Sequence, residues 1–228
     1  MMELQNQKRH STKRGREGDS FAIRKVHEMV LIFRRTGERQ YVVRAKRSSL
    51  PDVEMNPAPG YDPFMPHDLM HLVVEAQLGL QRGIFGQLAL GGDAGTFHVP
   101  GTQLKSRELT RVRNHQRAKG KKLFREGRND CLHSEHAAFI FWKAWQRRPS
   151  SARQHTHFSE AEQMTYQGKG AVGTNELSAL IREKFDEILT HLDELSSHWS
   201  KLPVGGELAV RWPDLKVLEI SSNPTAGR

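Results

Sequence analysis

The chain has 228 residues, with 35 Lys and Arg against 26 Asp and Glu for a formal net charge of +9, and one cysteine. This length can bury a hydrophobic core without disulfides, and Cys131 alone cannot form an internal one, so a disulfide-rich secreted scaffold is excluded. No apolar run approaches the roughly 20 residues that span a bilayer and none lies near the start, which predicts a soluble, cytoplasmic protein without membrane association.

The basic charge is concentrated in two segments. Residues 1–18 hold five Lys and Arg against two acids, and residues 104–128 hold ten against two, for net charges of +3 and +8. Because the first segment has almost no large apolar side chains, we expect residues 1–20 to form a disordered basic tail. Residues 21–222 are then expected to form one domain, followed by a frayed tail at 223–228.

The first predicted elements are two strands and a helix. Residues 30–33 and 41–45 are rich in β-branched and aromatic side chains, and the Thr36-Gly37 pair between them predicts a hairpin. The proline-rich segment 50–66 is expected to be irregular or extended, because proline cannot donate a backbone hydrogen bond. It leads into a helix predicted from His67 to about Leu78, with Gly79 as its C-terminal stop.

The middle of the chain combines glycines with helical segments. The glycine-rich stretch 83–95 lacks the context of a nucleotide-binding loop, so turns or close packing explain its glycines better. The basic segment 104–128 is predicted to be helical, with interruptions at Gly120 and Gly127. A further helix is predicted over residues 130–147, where aromatic side chains are frequent.

The last third predicts a loop, a long helix and a second strand pair. Residues 149–174 are predicted to be mostly loop. Residues 174–202 are predicted to form one helix whose apolar residues recur every three or four positions and build a continuous seam. Alternation over 208–212, followed by a turn and residues 216–220, predicts two more strands. We therefore predict an α+β fold, with a small antiparallel sheet from the N- and C-terminal strand pairs packed against several helices.

The first helix carries the most specific chemical signal in the chain. His67, His71 and Glu75 follow one another at intervals of four, so their side chains form one stripe along the helix. That stripe lies opposite the core face marked by Leu69 and Leu72, yet other apolar residues flank it. A helix that is apolar nearly all round is normally buried, and buried imidazoles and carboxylates need polar partners.

A divalent cation would satisfy all three of these side chains. Zinc accepts imidazole nitrogens and a carboxylate oxygen, and iron or manganese accepts the same set, so zinc is the favoured ion and its identity stays open. Asp68 is a candidate for orienting a ligand from behind. The alternative is that backbone carbonyls or water satisfy both histidines while Glu75 pairs with an arginine such as Arg82.

A second group of potential ligands lies at the start of the helix over 130–147. Cys131, His133, Glu135 and His136 are closely spaced, and His133 and His136 are the weaker candidates for one or two ligands of a site built mainly elsewhere. No catalytic base can be assigned, although Asp68 and Glu135 are candidates.

The HDxxH string formed by His67, Asp68 and His71 resembles the zinc motif of the ubiquinone-biosynthesis scaffold family. That resemblance implies a zinc site in a helical protein that binds a lipid-like quinone precursor. The later glutamate of that motif has no counterpart near Gly83, and the rest of the chain departs from the family. Pro66 through Glu75, the Gly83-Ile84-Phe85-Gly86 string and residues 199–206 together resemble an uncharacterised bacterial protein family, which supports a metal and implies no substrate.

Three functions remain open from the sequence. The first is a metal-binding protein, in particular a metal-dependent hydrolase. The second is a nucleic-acid-binding module, in which the basic segment neutralises phosphates; the alternative for that segment is a solvated helix face. The third is an interaction scaffold that uses the apolar seam of 174–202. For the second function, the candidate phosphate-binding residues of the basic segment are Arg107, Arg111, Arg113, Arg117, Lys121, Lys122 and Arg125.

Overall fold

The protein combines an antiparallel sheet with helices, and the computed structural model describes residues 28–101, 105–148 and 175–222. Among these residues, a five-stranded antiparallel sheet has the order β3-β2-β1-β4-β5, which confirms the predicted α+β class. The strands are β1 Met29–Gly37, β2 Gln40–Arg47, β3 Val53–Ala58, β4 Glu207–Trp212 and β5 Val217–Ser221. The helices are α1 His67–Gln77, α2 Ile84–Ala89, α3 Ser106–Glu126, α4 Arg128–Gln146, α5 Asn175–Glu183 and α6 Phe185–Ser200.

Both predicted strand pairs are present, and β1 and β4 join them into one sheet. Leu31 of β1 lies opposite Ala45 of β2 on one side and opposite Val210 of β4 on the other. All three are fully or almost fully buried, because alternate residues of each strand face the helices. Three predicted segments lie outside the described residues: the tail at 1–20, the loop at 149–174 and the tail at 223–228.

Two elements differ from the prediction in the first half of the chain. The segment 50–66, which the sequence predicts to be irregular or extended, contains the paired strand β3. Its Pro57 follows a cis peptide bond and lies in an edge strand, where the missing N–H removes no bond from the centre of the sheet. The glycine-rich stretch contains the short helix α2, which residue periodicity does not reveal over six residues.

The basic helix α3 is continuous through Gly120 and ends at Gly127, so only the second predicted interruption is correct. Gly120 lies where the helix meets the loop before it. A side chain there would place its first carbon 2.2 Å from Asp93 Oδ1. This glycine therefore allows close packing and does not break the helix.

The predicted helix over 174–202 is divided into α5 and α6 at Lys184. The backbone hydrogen bonds continue across this point, from Lys184 N to Leu180 O and from Ile188 N to Lys184 O, so the division is a local distortion. The apolar seam faces the core of this chain: Leu192 and Trp199 are fully buried. The seam is therefore already covered and offers little to a partner.

Helix α1 lies at the centre of the helical layer and packs against α2, α4 and α6. Eight of its eleven residues are buried, as expected for a helix that is apolar on nearly all sides. Gly79 follows its end with a φ of 63°, a conformation that favours glycine at a helix stop. The helical layer reaches the sheet through the Tyr41–Trp199 and Phe85–Trp212 ring pairs. Among the described helices, none is both long and apolar enough to span a bilayer.

Candidate metal centre

Helices α1 and α4 bring two histidines and one glutamate together. The Nε2 atoms of His67 and His71 lie 3.3 Å apart, and Glu135 Oε2 lies 3.8 Å from His71 Nε2. One potential ligand atom from each of the three residues lies within 4.8 Å of the other two. This His67–His71–Glu135 group, hereafter the His-His-Glu group, has the composition and spacing to hold a metal ion.

The separation of the two histidine nitrogens fits a single zinc ion. With Zn–N bonds of about 2.05 Å, two nitrogens in a tetrahedral site lie about 3.3 Å apart. His67 and His71 already have this spacing. Glu135 Oε2 lies 3.8 Å from His71 Nε2, and one ligand atom of Glu135 lies within 4.8 Å of one of His67. The two histidines are therefore already spaced for an ion, and Glu135 would move closer to complete the set.

The group lies at the protein surface with His71 at its floor. His71 is fully buried, whereas His67 is exposed and the Glu135 side chain is 46% exposed. Burial, followed by the neighbouring His67, lowers the pKa of His71 to about 4, so its imidazole is neutral near pH 7. A neutral imidazole is the form that binds metals, and protons do not compete for His71 at that pH.

A chain of hydrogen bonds determines which nitrogen of His71 faces the group. The Ser134 hydroxyl donates to Glu75 Oε1 at 2.8 Å, so its oxygen is left to accept a bond from His71 Nδ1, also at 2.8 Å. With Glu75 ionised, His71 therefore carries its proton on Nδ1, and the lone pair of Nε2 points towards His67 and Glu135. A hydrogen bond to the other ring nitrogen is the usual means by which proteins orient a metal-binding histidine.

Glu75 does not belong to the group, although the sequence predicts it as a ligand. It is fully buried, and its carboxylate accepts hydrogen bonds from Ile84 N at 2.8 Å, Phe85 N at 2.9 Å and Ser134. The physical reason is helical rise: His67 and Glu75 are eight residues apart, or about 12 Å along the axis. Ligands of one ion must lie within a few ångströms of each other, so α1 supplies two and α4 supplies the third.

Glu75 instead connects the end of α1 to the start of α2. Burial raises the pKa of Glu75 to about 7, against the opposing effect of the hydrogen bonds it accepts. Gly83, immediately before α2, has no room for a side chain, because a β-carbon there would lie 2.3 Å from the Glu75 carboxyl carbon. Glycine at this position lets the buried carboxyl approach the first N–H groups of α2.

Asp68 lies behind the group, where the sequence predicts a supporting residue. It is 4% exposed, it interacts electrostatically with His67 and Glu135, and it shares a hydrogen bond with the Tyr41 hydroxyl. That hydroxyl also lies 2.6 Å from Pro59 O, which can only accept a hydrogen bond. When the single Tyr41 proton goes to Pro59, a protonated Asp68 donates to Tyr41. Burial raises the pKa of Asp68, which favours this neutral form.

The weaker candidates on α4 have different environments. His133 and His136 are not part of the metal-binding group. His133 Nε2 is buried and has no hydrogen-bond partner among the described residues. Cys131 donates through Sγ to Arg82 O, and burial, followed by the nearby carboxylates, raises the pKa of its thiol to about 11. Cys131 is therefore held as an unreactive thiol.

Two contributors to the site are not assigned to it by sequence spacing. Glu135 is predicted only as one of a close-spaced cluster and as a candidate base, and Ser134 is not predicted at all. Both lie in α4, about 60 residues from α1 in the chain, since the Ser134–Glu75 hydrogen bond spans 59 positions. The sequence signal that could have pointed to these two residues is their position as a Ser-Glu pair just before the apolar run of α4, which begins at Ala137.

Comparison with family models, with curated proteins and with solved structures found no match to this chain. Its chemistry is therefore inferred from the residues of the site. Two imidazoles and one carboxylate can provide three protein ligands, and His67 and the Glu135 side chain are accessible to solvent. This combination can bind a metal ion and leave one position for water or a substrate.

Proposed function

We propose that this protein is a metal-dependent hydrolase with a zinc ion bound by His67 Nε2, His71 Nε2 and Glu135. The observation that carries the proposal is the 3.3 Å separation of the two Nε2 atoms, with a carboxylate oxygen 3.8 Å from one of them. That spacing matches two nitrogens of a tetrahedral zinc site, for which the expected value is about 3.3 Å. Iron and manganese accept the same donors, so metal analysis distinguishes the three ions.

The number and exposure of the ligands favour a catalytic over a structural ion. Structural zinc sites use four protein ligands and are closed, whereas catalytic sites use three and keep one position for water. The His-His-Glu group supplies three ligand atoms, and two of its residues reach the surface. A substrate can therefore approach the ion from the solvent side without movement of the buried core.

The chain's own residues would fix the ion and its surroundings. His71 is held by Ser134, and Ser134 by the buried Glu75, so the most buried ligand has one orientation and one protonation state. The buried Asp68 carboxyl shares a hydrogen bond with the Tyr41 hydroxyl and interacts electrostatically with His67 and Glu135. A zinc ion held there would lower the pKa of bound water to about 7 and polarise the bond to be cleaved.

The hydrolase proposal predicts activity that depends on the ion. The purified protein, treated with a chelator and then supplied with zinc, iron(II) or manganese(II), is assayed against chromogenic carboxylic and phosphoric esters. We expect hydrolysis with zinc, loss of activity after chelation and recovery on zinc addition. Zinc at a concentration of a hundred times its dissociation constant should also raise the free energy of unfolding by about 2.7 kcal/mol, because zinc binds the folded protein and not the unfolded chain.

The matched control separates catalysis at the site from free zinc in solution. Glu135→Gln should abolish both the activity and the stabilisation by zinc, whereas Glu219→Gln, an exposed carboxylate on β5, should leave both unchanged. Stabilisation by zinc without hydrolysis of any ester would show a metal site and contradict the hydrolase. Hydrolysis that survives chelation and Glu135→Gln would contradict the proposal as a whole.

A further inference from the structure

The outer face of α3 is a continuous basic stripe. At about 100° per residue, Arg107, Arg111, Arg117, Lys121, Lys122 and Arg125 fall within an arc of about 140°. All six are exposed. From Arg107 to Arg125 the stripe is about 27 Å long at 1.5 Å per residue. The opposite face packs inward through Gln116, which is 4% exposed, and Leu123, which is 7% exposed.

The stripe has almost no local charge compensation. The acids of α3, Glu108 and Glu126, lie outside the arc, at about 100° from Arg107. Within the described residues, Lys122 pairs with Glu126 at 3.8 Å, and Arg107, Arg111 and Arg117 form no ion pair. A surface that serves only solubility normally mixes both signs of charge. An unmixed stripe on a rigid helix therefore indicates an extended anionic partner.

An exposed aromatic ring lies at the edge of the stripe. Phe124 is 51% exposed. On the helix surface it lies beside Arg117 and Lys121, between the basic stripe and the inward face of α3. An aromatic ring beside cations provides a stacking surface for one nucleic-acid base. Arg113, predicted from the sequence as a phosphate ligand, lies outside the arc, and its guanidinium donates to Val99 O at 2.7 Å. Arg113 is therefore engaged in holding α3 to the chain before it.

We propose that the outer face of α3 binds single-stranded nucleic acid, with the six cations of the stripe along the phosphates and Phe124 against a base. An anionic membrane is the poorer fit. Helices that lie on membranes insert an apolar face, whereas the apolar side of α3, which includes Leu109, Val112 and Leu123, packs on the protein core. This inference does not depend on the metal centre.

The test measures the binding of a fluorescently labelled oligodeoxythymidylate to the full chain by anisotropy, between about 50 and 200 mM salt. The triple variant Arg111→Gln, Lys121→Gln and Arg125→Gln should bind about tenfold or more weakly, and its logarithmic salt slope should fall by about two. Phe124→Ala should weaken binding about tenfold while leaving the salt slope unchanged, because it removes a stacking contact and no charge. All four substituted residues are exposed, so the fold is expected to persist.

The control variant removes the same charge elsewhere: Arg39→Gln, Lys46→Gln and Lys216→Gln, all at exposed positions. It should bind like the wild type. Equal weakening of both triple variants would overturn the proposal, because net charge and not α3 would then account for binding. Equal affinity for a duplex of the same length, or no effect of Phe124→Ala, would overturn the single-strand assignment. Binding to phosphatidylserine vesicles without binding to the oligonucleotide would assign the stripe to membranes instead.

Discussion

The Glu75→Ala protein is expected to lose on the order of 5 kcal/mol of its free energy of unfolding. The change would leave three donors, Ile84 N, Phe85 N and the Ser134 hydroxyl, without the acceptor that they share; the Phe85 and Ser134 bonds are buried and the Ile84 bond is partly buried. Each buried donor left unsatisfied costs about 1 to 3 kcal/mol. Because folded domains are stable by only about 5 to 15 kcal/mol, this variant should be partly or wholly unfolded at ambient temperature.

Urea unfolding monitored by tryptophan fluorescence measures this effect, since Trp145, Trp199 and Trp212 are all buried in the core. Glu75→Gln keeps one acceptor oxygen in the same place and should cost less than Glu75→Ala. Glu135→Gln, with a side chain that is 46% exposed, should cost little. A Glu75→Ala protein as stable as the wild type would contradict the role of this carboxylate as the link between α1 and α2.

The second large effect is expected at His71. His71→Ala removes the most buried ligand of the His-His-Glu group, and we expect zinc affinity to fall by more than about a hundredfold. Ser134→Ala, which removes the hydrogen bond that orients His71 together with one that Glu75 accepts but removes no ligand, should lower affinity by about 10- to 100-fold. The order of these two losses follows from direct coordination by His71 and indirect support by Ser134.

Competition with a chromogenic chelator measures these affinities. Because His71→Ala also creates a cavity, His67→Ala provides a second variant at an exposed position, where the fold should be unaffected. His67→Ala should lose zinc to a similar extent as His71→Ala. If both histidine variants bound zinc as tightly as the wild type, neither residue would be a ligand.

Local patterns predicted the elements that have strong periodicity. The α1 helix, its stop at Gly79, the hairpin of β1 and β2 and the strands β4 and β5 all follow from side-chain alternation or from glycine and proline. Strand β3 was not predicted, because its Pro57 is unfavourable in a strand except at an edge, and its edge position depends on the assembled sheet. Helix α2 is shorter than two turns and carries no periodic signal.

Two of the three ligands of the candidate metal centre could be predicted from spacing. His67 and His71 are one turn apart, so any helix containing them places both imidazoles on one side. The third ligand could not be predicted in this way, because a further step of four residues moves away from the first histidine along the axis. Glu135 reaches the histidines through the packing of α4 on α1, which is a tertiary contact. The sequence spacing therefore favoured Glu75, whose chemistry is structural.

Equilibrium dialysis against zinc followed by elemental analysis, applied to Glu135→Gln and Glu75→Gln alongside the wild type, tests the ligand set most directly. Both variants remove one carboxylate charge from the same pair of helices. We predict near-stoichiometric zinc in the wild type and in the folded Glu75→Gln protein, and loss of zinc from Glu135→Gln. Retention of zinc by Glu135→Gln, together with its loss from folded Glu75→Gln, would contradict the metal centre formed by His67, His71 and Glu135.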